Sequence, residues 1–132
     1  MGGEAMAKGS LYKEAANLFQ ILAHPGRLRI LDELRRGQAC VCHLQTVLDR
    51  PQAYVSQQLR VLREAEIVVG ERDGLNVYYH VAHAHVPELL ERVLGPGSEP
   101  TRLPGCPCPY CQAFAAGFSP RKSPAATGIG LV

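Results

Sequence analysis

No stretch of this chain approaches the roughly 18 consecutive apolar residues that a membrane-spanning helix needs, and the opening MGGEAMAKGS has no apolar signal core. A membrane is therefore not expected as a partner, and a cytoplasmic address is. Charge of one sign is scarce as well. The formal net charge is +2, too little to imply nucleic acid by itself, so its distribution along the chain matters more than its sum. Internal repeats are lacking. Cysteine is absent from residues 1–39, and the five cysteines fall in two clusters, Cys40 with Cys42 and Cys106, Cys108 with Cys111. In a reducing compartment an odd set at such tight spacing reads as metal or redox chemistry before it reads as a disulfide framework.

What is present is a chain of 132 residues, enough for one domain with a hydrophobic core and too short for two ordinary ones. Residues 1–10 are Gly-rich and expected to be mobile. Leu11, Ala15, Leu18, Phe19 and Leu22 then recur at helical spacing and predict a first amphipathic helix. Pro25 suits an early helical position, and a second helix carries Leu28, Leu31 and Leu34 to a stop at Gly37, with His24 helping to start it. A short helix is expected over Val41 to Leu48. A longer one follows from about Gln52 to Ala65, with Asp49 and Gln52 resembling a capping box.

Short helix, tight turn, longer helix is the helix-turn-helix pattern. Beyond it the period changes to that of strands, in Ile67-Val68-Val69 and Asn76 to Val81, around Asp73-Gly74, a dipeptide suited to a hairpin turn. A last helix is expected over about His83 to Leu94, ended by Gly95-Pro96-Gly97. The expected fold class is mainly α with a small β-hairpin, a winged helix-turn-helix of order α-α-α-α-β-β-α over residues 11–95. Residues 96–132, rich in Pro, Gly, Ser and Ala, form a tail whose one dense feature is GCPCPYC.

Two stretches carry candidate chemistry. From Arg50 to Arg63 there are three arginines and no acid. Within it Ala53, Ser56, Gln57 and Arg60 recur at i, i+3, i+4 and i+7, opposite Val55, Leu59 and Leu62, and such a face can enter a major groove. Gln57 suits an adenine edge, Ser56 a base or phosphate, Arg60 guanine or the backbone, and Ala53 allows close approach. Gln52 and Tyr54 flank the face as phosphate contacts, and Arg72 near the hairpin tip is expected to act on phosphate. A polar face on a lone helix is usually just solvated. Placed second in a helix-turn-helix and followed by a wing, DNA reading is the better interpretation.

The second stretch is ACVCHL, residues 39–44. Residues i and i+2 lie about 200° apart on an α-helix and cannot face one ion there, so Cys40 and Cys42 are expected at a loop-to-helix junction, where amide donors favour thiolates. A lone cysteine is commonly a small buried residue. Two here and three in CPCPYC favour ligation of a soft ion: As(III) or Sb(III) with three sulfurs, or Cd(II), Pb(II) or Zn(II) with three or four. No organic cofactor is indicated.

Together LAHPGRLRILDELRRGQACVCHL, AYVSQQLRVLREAEIV and ERDGLNVYYHV resemble the ArsR/SmtB family of winged-helix repressors, over about residues 12–94. The resemblance implies a homodimer built on the first and last helices that releases double-stranded operator DNA when its ligand binds. It carries Cys40 and Cys42 over as ligands from the family's C-V-C-D-L motif, with His43 in place of the acid. The third cysteine of the arsenic type falls on Gln45 and no thiol lies on the N-terminal arm, so Cys106, Cys108 and Cys111 of the tail are left to complete the set. The family's other site, between the last helices, would begin at His83 and His85 but meets Pro96 and Glu99 downstream. His80, His83 and His85 are read as solvated or interfacial. A thiol redox or persulfide response on the same fold, and a non-regulatory metal-carrying or interaction protein, are the competing readings. Catalysis by Cys42 with His43 has little support, because no acid in the motif orients the histidine.

Overall fold

The core is built where the apolar positions of four helices and a small sheet converge. Ile30, Leu31 and Leu34 meet Leu44 and Leu48, Val55, Leu59 and Leu62, and Ile67, Val68, Val81, Val86 and Leu90, nearly all fully buried. Each such side chain contributes roughly 1.5–3 kcal/mol by leaving water. The computed structural model describes the backbone of residues 2–97 and the side chains of residues 9–97. Cys106, Cys108, Cys111 and nearly all of the tail expected over 96–132 lie outside the described residues.

In chain order the elements are α1 (Gly2–Leu22), α2 (Pro25–Leu34), β1 (Ala39–Cys40), α3 (Val41–Leu48), α4 (Gln52–Glu64), β2 (Val68–Asp73), β3 (Asn76–Val81) and α5 (Val86–Leu94). The helix-turn-helix is α3–α4 and the wing is β2–β3, as the sequence pattern implies. The strands form one antiparallel sheet of order β1-β3-β2.

Several boundaries differ from expectation, each for a local reason. Helix α1 begins at Gly2, not near Leu11, because Glu4-Ala5-Met6-Ala7-Lys8 are strong helix formers and outweigh the glycines around them. Strand β1 was not expected at all. It is two residues long, too short to show a period, and exists only by pairing Ala39 with Tyr79 and Cys40 with Tyr78. Asp49 does not cap α4. It ends α3 in the left-handed region, at φ 54°, and Pro51 stands at the start of α4 without a side-chain cap.

In the wing, Asp73 pairs with Asn76, so the central dipeptide is Gly74-Leu75 and only Gly74 has positive φ. That is the type II′ pattern, with glycine at the first central position. Helix α5 starts at Val86 because Pro87 fits only the first turn. His24 does start α2: its Nδ1 accepts from the amides of Gly26 and Arg27, at 3.1 and 3.3 Å.

Polar clamps run from α2 to its neighbours. Arg27 Nε donates to Gln58 Oε1 on α4 at 2.9 Å, and Arg27 Nη1 to the Ile21 carbonyl on α1 at 3.2 Å. Arg29 Nη2 donates to the Val47 carbonyl on α3 at 2.9 Å. Gln58 is buried, so Arg27→Ala leaves its amide oxygen without that donor. A loss of about 1–3 kcal/mol is expected in urea unfolding. The pair change Arg27→Met with Gln58→Leu should recover much of it, and a double-mutant cycle measures the coupling.

Candidate DNA interface and thiol site

Helix α4 divides its residues as the spacing anticipates. Val55, Leu59 and Leu62 are buried, while Gln52, Ala53, Gln57 and Arg60 are exposed and Ser56 is half-buried. The consecutive glutamines have opposite assignments: Gln58 is held inward by Arg27, and Gln57 faces out. Arg60 is loosely paired with Glu64 at 3.5 Å, both strongly exposed, a surface pair a phosphate displaces at little cost.

Tyr54 is half-buried, with the Arg50 guanidinium 5.1 Å from its ring centroid. Its hydroxyl lies where a β-carbon on Gly26 would stand, so Gly26 lets α4 approach the start of α2. On the wing Arg72 is exposed one residue before Asp73 at the hairpin end, and Leu75 at the tip is almost wholly exposed.

The thiols sit at the junction between β1 and α3. Cys40 has extended backbone, φ −91° and ψ 172°, and precedes the first helical residue, Val41. This break in the helix lets two residues at i and i+2 converge: Cys40 Sγ and Cys42 Sγ are 2.8 Å apart. Neither is in a disulfide, and Cys40 is buried and Cys42 partly so.

His43 is turned into the protein, where its Nε2 lies 2.8 Å from Glu33 Oε2, both side chains under 5% exposed. An acid therefore does engage this histidine, from α2 rather than from the motif, which no local spacing reveals. His83 and His85, half-buried and exposed, lie ahead of α5 with ring centroids 5.8 Å apart and planes tilted by 58°.

His80 departs from expectation. It is 2% exposed rather than solvated, because its place on β3 puts it on the same sheet face as Tyr78 and Cys40. Neither ring nitrogen makes a hydrogen bond, and Nδ1 is 3.7 Å from Glu71 Oε1. Among the described residues no three His, Cys, Asp or Glu side chains are arranged to hold a metal ion.

The family model described as bacterial regulatory protein, arsR family, matches residues 24–69, from the start of α2 into the wing. The transcriptional repressor SmtB homolog of Synechocystis is 41% identical over 81 residues, 61% of this chain and 61% of that protein. The HTH-type transcriptional regulator NmtR of Mycobacterium tuberculosis is 41% identical over 81 residues, 61% of this chain and 68% of that one. A homodimeric winged helix-turn-helix DNA-binding domain of Mycobacterium bovis superposes with a TM-score of 0.61 at 30% identity, over 66% of this chain and 81% of that chain. The chain belongs to the ArsR family.

The similarity to the Synechocystis protein stops short of two thirds of that protein's length. The family model covers α2, the helix-turn-helix and the first residues of the wing, and the fold is that of an ArsR winged-helix transcriptional regulator. By their names both relatives are transcriptional regulators, one of them a repressor. No helix among the described residues is long and apolar enough to cross a membrane.

Burial lowers the His80 pKa below its ordinary 6.5, partly opposed by the Glu71 carboxylate. The unfolded chain therefore takes up a proton at a pH where the folded chain resists it, and stability is lost as pH falls through that window. Chemical denaturation between about pH 7 and 5 should show this decline, and His80→Gln should flatten it. An identical pH slope in the variant would show that His80 does not contribute.

Proposed function

We propose that the chain is a homodimeric repressor that holds operator DNA with α4 and the wing and releases it when a thiophilic metal or metalloid ion binds the thiolates of Cys40 and Cys42. The observation that carries this reading is the convergence of two thiols at the start of α3, the first helix of the DNA-reading unit. Paired thiolates select soft ions, so the effector class is As(III), Sb(III), Cd(II), Pb(II) or Zn(II). Cys106, Cys108 and Cys111 are proposed as further donors from the tail.

Ala53, Ser56, Gln57 and Arg60 supply the reading face, and Gln52, Tyr54 and Arg72 the phosphate contacts. Leu11, Tyr12 and Phe19 on α1 and Val93 and Leu94 on α5 are exposed apolar residues on the first and last helices, and pairing two copies through these helices would cover them. A two-fold dimer presents its two α4 helices to half-sites about one helical turn apart.

A second reading rests on the same 2.8 Å contact. A peroxide could oxidise the two thiols to a disulfide, its oxygens leaving as two waters, and produce the same release.

The test is a titration of the reduced full chain on operator DNA with As(III), Cd(II), Pb(II), Zn(II) and hydrogen peroxide in parallel, followed by fluorescence anisotropy. Release by an ion at a concentration that leaves Cys40→Ser/Cys42→Ser bound is expected. Release by peroxide alone would favour the redox reading. Equal release of wild type and variant would overturn both.

A further inference from the structure

The wing sorts its charges by face, a partition imposed by the alternation of side chains along β2 and β3. Glu71 and Asp73 lie on the face that carries Tyr78 and His80. Arg72 lies on the other face, with Gly70 beside it on β2 and Val77 and Tyr79 opposite the two on β3. Both acids of these strands are thus kept off the face that holds Arg72. Nearer the base of the wing the same face carries Val68 and Val81, which join the core that Val55, Leu59 and Leu62 of α4 also enter. Its outer half therefore lies on the side of the wing turned toward the reading helix.

A second cation reaches this face from α4. Arg63, exposed in the last turn of the helix, has its guanidinium carbon 6.0 Å from the centroid of the Tyr79 ring. Its place on α4 continues the proposed reading face, because Ser56, Arg60 and Arg63 follow one another at i, i+4 and i+7. The Tyr79 ring is half-buried and lies close over Gly70, where a β-carbon would meet Tyr79 Cε1 at 2.9 Å and Val77 Cγ1 at 3.1 Å. Glycine at 70 lets the ring settle onto β2, and the ring in turn sets where Arg63 stands above the wing. The acid next along the helix, Glu64, is engaged with Arg60 at 3.5 Å.

We propose that Arg63, stacked on Tyr79, is a further DNA contact that bridges the reading helix and the wing, so that Arg60, Arg63 and Arg72 grip the phosphates of one DNA strand. This rests on the reading of α4 and the wing as the operator-binding surface and adds a residue to it. Phosphate is the partner the geometry favours. Base edges are reached from the first turns of a recognition helix, whereas Arg63 stands at its far end, where the backbone passes. A guanidinium with one flat side on a ring keeps its in-plane N–H groups for the oxygens of a phosphate.

The two members of the stack have different roles. Arg63 supplies the charge, and its removal releases fewer counterions when DNA binds. Tyr79 is a positioning residue that acts only through Arg63. Its replacement by leucine keeps an apolar side chain on β3 and leaves the charge in place, but frees the guanidinium to move, so the contact costs more side-chain entropy to form. Affinity should then fall while its salt dependence stays, and the change should have no effect once Arg63 is gone.

The experiment uses the reduced full chain and two duplexes, one selected from a random pool by the wild-type chain and one of mixed sequence. Fluorescence anisotropy gives the affinity for each between about 50 and 200 mM salt. Arg63→Ala is exposed and leaves the core untouched. It should weaken binding to both duplexes by the same factor and reduce the slope of log K against log salt by about 0.9 per protomer, about 1.8 for a dimer. Tyr79→Leu should weaken binding with the slope unchanged, and a double-mutant cycle should show no further loss in the Arg63→Ala background. An unchanged slope in Arg63→Ala, or a loss confined to the selected duplex, overturns the phosphate contact and leaves DNA binding by α4 standing. Additive losses in the cycle overturn the role of Tyr79. A wild-type chain that binds neither duplex overturns the operator-binding reading itself.

Discussion

The pairing of Ala39 and Cys40 with Tyr79 and Tyr78 is the constraint on which the rest of the arrangement depends. Two residues of strand join the helical half of the molecule to the wing. They send Ala39 into the hydrophobic core and Cys40 to the opposite face, and they hold Cys40 in the extended conformation that lets its sulfur meet that of Cys42. Were α3 to begin two residues earlier, the thiols would diverge around the helix by about 200°. The same strand puts Cys40 on one face with Tyr78, His80 and Glu71. A change in register by one residue would exchange these for the core residues.

Helix α2 is the second organiser. Its apolar face supplies Ile30, Leu31 and Leu34 to the core, while its polar side chains engage the carbonyl end of α1, the buried amide of Gln58 on α4, the Val47 carbonyl of α3 and, through Glu33, His43 beside the thiols. A displacement at the start of α3 is therefore resisted by a helix that also grips α4. On the proposed function this rigidity is useful: an interior packed and bonded in this way passes a local movement on to its neighbours rather than absorbing it.

Much of the architecture was legible because it rests on local periodicity. The bounds of α3 and β3 coincide with the expected ones, and those of α4 nearly so, since each combines a clear apolar period with a nearby Pro or Gly. What escaped was set by distant partners. Strand β1 has no period of its own, and the buried setting of His80 comes from the sheet that β1 completes. The Glu33–His43 pair joins residues ten apart on different helices. The division of labour between Gln57 and Gln58 was readable from helical phase, but the reason Gln58 is satisfied, Arg27, was not. In the turn before α4, Asp49 looked like a cap because its side chain suits that role, yet its backbone conformation ends the preceding helix instead.

The central claim is that ion and operator are linked through one dimer, each disfavouring the other. The most direct measurement is the affinity of the full chain for Cd(II) in two states, free and saturated with operator DNA, at one salt concentration. Linkage requires DNA to weaken ion binding by the same factor by which the ion weakens DNA binding, commonly about 5- to 150-fold. Two factors that agree within error are the predicted result. An ion affinity unchanged by DNA would contradict the account, however tightly the thiols hold the metal.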